Sequence, residues 1–279
     1  MHKLDINILV AGLTRDSEKT LASEIKQISL ALQGYKEVYW LIVESDSTDN
    51  TINVLDDLKD SIDNFEYAAL GILSKDYPVR SPRVSACRNY YINEINSNEK
   101  YTNIDYVIMA DLDGLNTEIT QQGIESCWER DGWDVCTANQ NGPYYDIWAL
   151  RHNFLCPNDA WKEYDFFKNI LMLSENEALE KAIVKRMFNI NTNLDWIEVD
   201  SAFGGFAIFK KNILKNCLYV GTYPDGSPIC EHVPFNKQIR NNGGRIFINP
   251  QLINAKSTEH VNILKPHRKL LRFIKSYFT

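Results

Sequence analysis

Two carboxylates spaced for cation chemistry stand out in this chain: Asp111 and Asp113, in the run Met109-Ala110-Asp111-Leu112-Asp113-Gly114. They follow the apolar stretch Tyr106-Val107-Ile108-Met109, which reads as a buried strand. A strand that ends in Asp-x-Asp puts acid groups at the carboxyl edge of a sheet, where open α/β sheets take their ligands. Hard oxygen donors there suit a divalent cation that holds a diphosphate. In a turn after the strand the two carboxylates can converge on one ion. They could equally do no more than solvate that turn.

Other residues could join them. Glu44 and Asp46 close the apolar run 38–43, at a second strand end where carboxylates can bond ribose hydroxyls or a base N–H. Asp46 and Asp49 also suit plain turn and cap duty. After Val10 the run Gly12-Leu13-Thr14-Arg15-Asp16 reads as a turn, with Gly12 and Thr14 as nucleotide-binding candidates because exposed backbone there can accept a flat base. In Arg80-Ser81-Pro82-Arg83-Val84-Ser85-Ala86-Cys87-Arg88-Asn89, guanidinium groups lie at or near a helix N-terminus. Arg83 and Arg88 there suit a diphosphate, although an exposed basic helix is the plainer alternative. Gly204 and Gly205 interrupt a strand, either to let a substrate approach the backbone or to make a bulge. Glu231 could deprotonate an acceptor hydroxyl, or act as a first-turn acid of the helix behind it. His260 follows the last strand and offers an imidazole as a third metal ligand, or is a surface residue.

The elements that must position these groups follow from periodicity. Residues 6–11, 38–43, 67–73 and 106–110 read as buried strands. Helical spacing appears at Leu21, Ile25, Ile28 and Leu32, at Ile52, Leu55 and Leu58, and over 83–95. This alternation predicts a doubly wound, mostly parallel sheet over the first 115 residues. Beyond it, strands are expected at 133–138, 145–150, 196–199, 206–209 and 245–248, and a helix near Leu179, Ile183 and Met187. One domain over 1–263 is expected, with a nucleotide-binding half (1–115), an acceptor-binding half (116–263) and a tail (264–279).

Composition narrows the function classes. The chain has 279 residues, 44% hydrophobic and 24% charged, with net charge −7, which argues against nucleic-acid binding through phosphate contacts. Six scattered cysteines form no CxxC pair and read as buried, reduced thiols. No signal-peptide pattern or membrane-spanning run is seen, so a cytoplasmic location is expected. There is neither GxGxxG nor GxxxxGK[ST].

In their order along the chain these motifs resemble the GT-A-type glycosyltransferases, enzymes that use nucleotide sugars. Glu44-Ser45-Asp46-Ser47-Thr48-Asp49-Asn50-Thr51 is similar to the acidic strand end of the family-2-like members, and Asp111-Leu112-Asp113 to their Asp-x-Asp motif. Phe203-Gly204-Gly205 resembles their glycine loop. Cys230-Glu231-His232 occupies the place of their x-Glu-Asp motif, and His260 that of their C-terminal histidine. The Arg83…Arg88-Asn89 helix, Trp148-Ala149-Leu150-Arg151 and Cys-Glu-His also resemble mannosyltransferases of the Anp1 and Cap59 type. The resemblance implies a GT-A-like Rossmann-type α/β fold with an elaborated C-terminal half. It further implies Mn²⁺ or Mg²⁺ on Asp111, Asp113 and His260, a UDP- or GDP-sugar donor, and a glycan or lipid-linked glycan acceptor in surface polysaccharide or lipopolysaccharide synthesis. Family-2 likeness points to inversion at the anomeric carbon and Anp1 likeness to retention, so both stand. A nucleotidyltransferase, or a silent glycan-binding scaffold, is the alternative.

In the tail, Lys265, Arg268, Lys269, Arg272 and Lys275 alternate with apolar residues, and no acid follows Glu259. Such a basic amphipathic segment suits peripheral contact with an anionic bilayer, or packing on the domain.

Overall fold

Apolar runs short enough for strands alternate with longer amphipathic runs, and this alternation sets the architecture. A computed structural model describes residues 5–256; His260 and the basic tail lie outside the described residues. The first half runs β1 (Asn7–Thr14), α1 (Leu21–Ala31), β2 (Glu37–Glu44), α2 (Thr51–Ser61), β3 (Phe65–Ala69), α3 (Arg80–Ser97) and β4 (Tyr106–Asp111). The second half runs α4 (Gln121–Glu125), β5 (Val135–Asn141), α5 (Ala160–Asn169), α6 (Glu175–Ala182), β6 (Ile197–Val199), β7 (Phe206–Lys210), α7 (His232–Asn241) and β8 (Ile246–Lys256).

The eight strands among the described residues join one mixed sheet in the order β3-β2-β1-β4-β7-β5-β8-β6. β1, β2, β3 and β4 are mutually parallel, as are β5 and β8, whereas β7 is antiparallel to both β4 and β5. The parallel strands are covered on both faces, which is why they read as continuous apolar runs. Alternate residues split between two cores: Ile8 and Val10 pack with α1 and α2, and Leu9 and Ala11 with α3 and the later helices. Register then sets the site, because Thr14 lies beside Glu44 and Leu13 beside Asp111, so three strand ends share one level.

Four expectations change. The turn expected at Gly12 starts only after Thr14, since β1 continues through both residues. A Cβ on Gly12 would lie 2.5 Å from Leu112 Cδ1, so this glycine makes room for a side chain inside the protein, and no flat base can reach it. No strand forms over 145–150. Ile147, Trp148, Ala149 and Leu150 are buried consecutively rather than alternately, and they form a turn whose backbone bonds locally. α3 begins at Arg80, and Pro82 fits in its first turn, where no intrahelical partner for its nitrogen is needed. β8 is eleven residues long and passes Pro250, where its pairing with β5 shifts register. All six cysteines are buried and unbridged. No helix among the described residues is long and apolar enough to cross a membrane.

Candidate active site

The carboxyl ends of β1, β2 and β4 meet the N-terminal half of α3 around a cleft of about 180 Å³. Thr14 and Arg15 enter from β1, Ser45 from β2, Asp111 and Asp113 from β4, and Arg80, Arg83 and Arg88 from α3. Sequence reading placed these acids and arginines on separate elements, and the fold brings them together.

Arg88 organises the floor. Its Nη2 donates to Asp111 Oδ1 at 2.7 Å, its Nε to Glu231 Oε1 at 3.0 Å and its Nη1 to the Tyr91 hydroxyl at 3.1 Å. The guanidinium lies 5.0 Å from the Phe203 ring and 5.6 Å from the Tyr219 ring. Burial works against its charge, but Asp111, Tyr91 and Glu231 outweigh it and hold the guanidinium firmly protonated. Arg88 is therefore a fixed cation that ties the Asp-x-Asp strand end to the start of α7.

Asp113 lies farther out, exposed to water yet ringed by protein at the cleft mouth. That surrounding protein, and then the charges of Asp111 and Glu24, push its carboxyl up to about 7, with Arg80 opposing. The turn that carries it is built by Glu24, a buried acid on the apolar face of α1. Glu24 accepts from the Gly114 N–H, the Asn116 N–H and Asn116 Nδ2, each at 2.8 Å. Asn116 Nδ2 also donates to the Asp111 carbonyl at 2.7 Å. An acid among Leu21, Ile25 and Ile28 was the signal that could have revealed Glu24.

At the second strand end the structural roles dominate. Glu44 is buried and accepts from the Ser47 N–H at 2.8 Å, which closes its own turn. Asp46 adopts φ 62°, a conformation Asp tolerates, and accepts from the Ser74 N–H at 2.9 Å. Burial raises the Asp46 carboxyl, but the Ser74 bonds, Ser45 and Arg83 outweigh it and leave it below the ordinary value. Thr14 Oγ1 donates to the Leu112 carbonyl at 2.9 Å.

The glycine pair proves to be a strut. Gly204 and Gly205 have φ +74° and +83°, and a Cβ on Gly205 would lie 2.7 Å from the Tyr145 hydroxyl. The close approach is thus made by the protein's own side chain, not left open for a substrate. Gly205 accepts from the Asp111 N–H at 3.0 Å, and the Gly204 N–H donates to Asp146 Oδ2 at 2.8 Å. Asp146, which the sequence reading did not single out, is half-buried in the same region. Burial, partly offset by the Gly204 bond, and then the Asp111 charge raise its carboxyl to about 6.

Glu231 differs most from expectation. As the expected base it should face an acceptor, yet its side chain is 4% exposed and bound to Arg88. His232 beside it stacks on Phe203 at 3.9 Å, and burial, then Arg88 and Arg80, keep its imidazole neutral.

Among the described residues no three His, Cys, Asp or Glu gather as a metal-holding group. The donors present still fit a hard cation. Asp113 is accessible and crowded by like charges that a cation would relieve, and such ions commonly complete their shell with waters and phosphate oxygens.

No protein-family model matches the chain, and no curated protein matches it in sequence. Solved structures match it in fold. The crystal structure of S. aureus TarS 1-349 aligns at 13% identity and TM-score 0.51, over 91% of this chain and 60% of that one. TarS 1-349 in complex with UDP aligns at 16% identity and TM-score 0.50, over 90% and 60%. The mannosyltransferase PcManGT from Pyrobaculum calidifontis, in complex with GDP-Man and Mn²⁺, aligns at 14% identity and TM-score 0.49, over 89% and 56%. The chain spans about 60% of the length of the TarS structure that it matches. Its eight-stranded, helix-flanked mixed sheet is a GT-A fold.

Proposed function

We propose that this protein is a metal-dependent glycosyltransferase, moving a hexose from a UDP- or GDP-linked donor to a hydroxyl of a glycan or glycolipid in surface polysaccharide or lipopolysaccharide synthesis. One observation carries the reading: in an acidic chain, Arg15, Arg80, Arg83 and Arg88 meet Asp111 and Asp113 in one cleft at the carboxyl edge of a GT-A sheet. Guanidinium groups already oriented there stabilise the charge that grows on a departing diphosphate. Asp113, with Asp111 directly or through water and His260 from the chain beyond β8, would hold Mn²⁺ or Mg²⁺; a bound ion supplies Lewis-acid neutralisation of the same charge. Arg88 sets the orientation of Asp111, Glu231 fixes Arg88, and Asp46 follows β2, with β1 between it and Asp111, where a ribose or base would extend. The UDP held by TarS, which shares the fold, supports a nucleoside diphosphate here.

The test is a donor screen with UDP- and GDP-hexoses that reports nucleotide release with and without Mn²⁺. Metal-dependent release that disappears in Asp113→Asn, with the fold retained, supports the reading. Equal release by that variant, with a normal metal response, overturns it.

A further inference from the structure

The sequence offers Glu231 as the base, but its place in the structure does not suit that work. Its Oε1 is 3.0 Å from Arg88 Nε, and the carboxylate is sealed beneath the site. A group that takes a proton from an incoming hydroxyl must reach the hydroxyl, and Arg88 already holds this one. Asp146 has the opposite properties. It is partly open to solvent, and among the described residues it makes no ion pair within 4 Å. Its orientation is nonetheless set, with Oδ2 accepting from the Gly204 N–H at 2.8 Å and Oδ1 facing the Ala149 N–H at 3.4 Å. The glycine strut that holds Asp146 also holds the backbone of Asp111 through Gly205, so the two acids are fixed relative to each other across one short loop. The charges of Asp111 and Glu231 both act on it.

Building on the transferase reading, we infer that Asp146 is the proton acceptor for the attacking hydroxyl and that Glu231 is a positioning residue acting through Arg88. In the step, the acceptor oxygen bonds to the anomeric carbon as the bond from that carbon to the diphosphate oxygen breaks. The electron pair leaves on the diphosphate, and the hydroxyl proton passes to an Asp146 carboxylate oxygen. A single displacement of this kind inverts the anomeric carbon. A carboxyl raised to about 6 is ionised at neutral pH while remaining a competent base.

Water and azide as acceptors allow a test without the natural one. Water must lose a proton to attack, whereas azide need not. In the full-length protein with Mn²⁺ and the donor that the screen selects, Asp146→Asn and Asp146→Ala should lose about 100-fold or more of donor hydrolysis with little change in donor KM. Azide should restore diphosphate release to Asp146→Ala and yield an inverted glycosyl azide. Glu231→Gln should be slowed with water and azide alike, because azide does not replace a lost positioning contact. Hydrolysis by Asp146→Asn within about threefold of wild type would overturn the assignment. So would a folded Asp146→Ala that azide fails to restore, a retained anomer, or rescue of Glu231→Gln instead. A wild-type protein that turns over no donor would overturn the transferase reading itself, and this inference with it.

Discussion

Single residues carry sharply different costs in this site. Arg88 is a buried cation shared by two buried or half-buried acids, so removing it strands Glu231 and Asp111 together. Arg88→Met is expected to destabilise the protein by about 3–5 kcal/mol in urea unfolding, and adding Glu231→Gln should recover part of that loss. Arg88→Lys should not substitute, because one ammonium cannot reproduce bonds made by Nε, Nη1 and Nη2 in three directions. A lysine variant as stable and active as wild type would contradict this account. Asp113 makes a pH prediction. Its folded carboxyl is raised from 3.8 to about 7, so in that window the folded state binds more protons than the unfolded one. Stability of the metal-free protein should therefore decline as pH rises from about 4 to 7 and level off above that range. Thermal unfolding from pH 5 to 8 checks this: Asp113→Asn should make the decline shallower and leave the part that Asp146, raised to about 6, contributes. An unchanged slope in the variant would assign the effect elsewhere.

At the scale of elements, the strand ends were legible because parallel strands buried on both faces leave uninterrupted apolar runs that stop where the acids begin. The loop from 142 to 159 was not legible. Consecutive burial of Ile147 through Leu150 mimics a strand in sequence, and only tertiary contact with the Gly204-Gly205 turn reveals Asp146. Glu24 was missed for a related reason: its partners Gly114 and Asn116 are about ninety residues away, and no local pattern foretells them. The glycine strut gives the test at this scale. Gly205→Ala must place a Cβ at a positive φ, within 2.7 Å of the Tyr145 hydroxyl. It should cost about 1–3 kcal/mol in chemical denaturation. It should also lower turnover more than metal affinity, because the turn aligns Asp111 with Asp146. Wild-type stability and turnover together would show that the strut is dispensable.

For the whole molecule the telling contrast is between net charge and local charge. The chain carries −7, yet four arginines converge on one cleft, whose own acids include the two that would hold a cation. Overall repulsion of a nucleotide is thereby offset only where the sheet edge gathers guanidinium groups, and a divalent ion would complete the balance. Binding of a nucleoside diphosphate should consequently depend on both metal and salt. At a ligand concentration of about 100 Kd, the folded state should gain ~2.7 kcal/mol, a Tm rise of roughly 5 °C for a chain of this size. Thermal unfolding with UDP, GDP and the corresponding nucleosides, each with and without Mn²⁺, measures it. Diphosphates with Mn²⁺ should give the largest rise, nucleosides almost none, and added salt should shrink the diphosphate effect by screening the exposed part of the cleft. Equal shifts from nucleosides and diphosphates would mean that the arginine cluster does not read phosphate. A shift indifferent to Mn²⁺ would mean that Asp113 holds no ion when the diphosphate is bound.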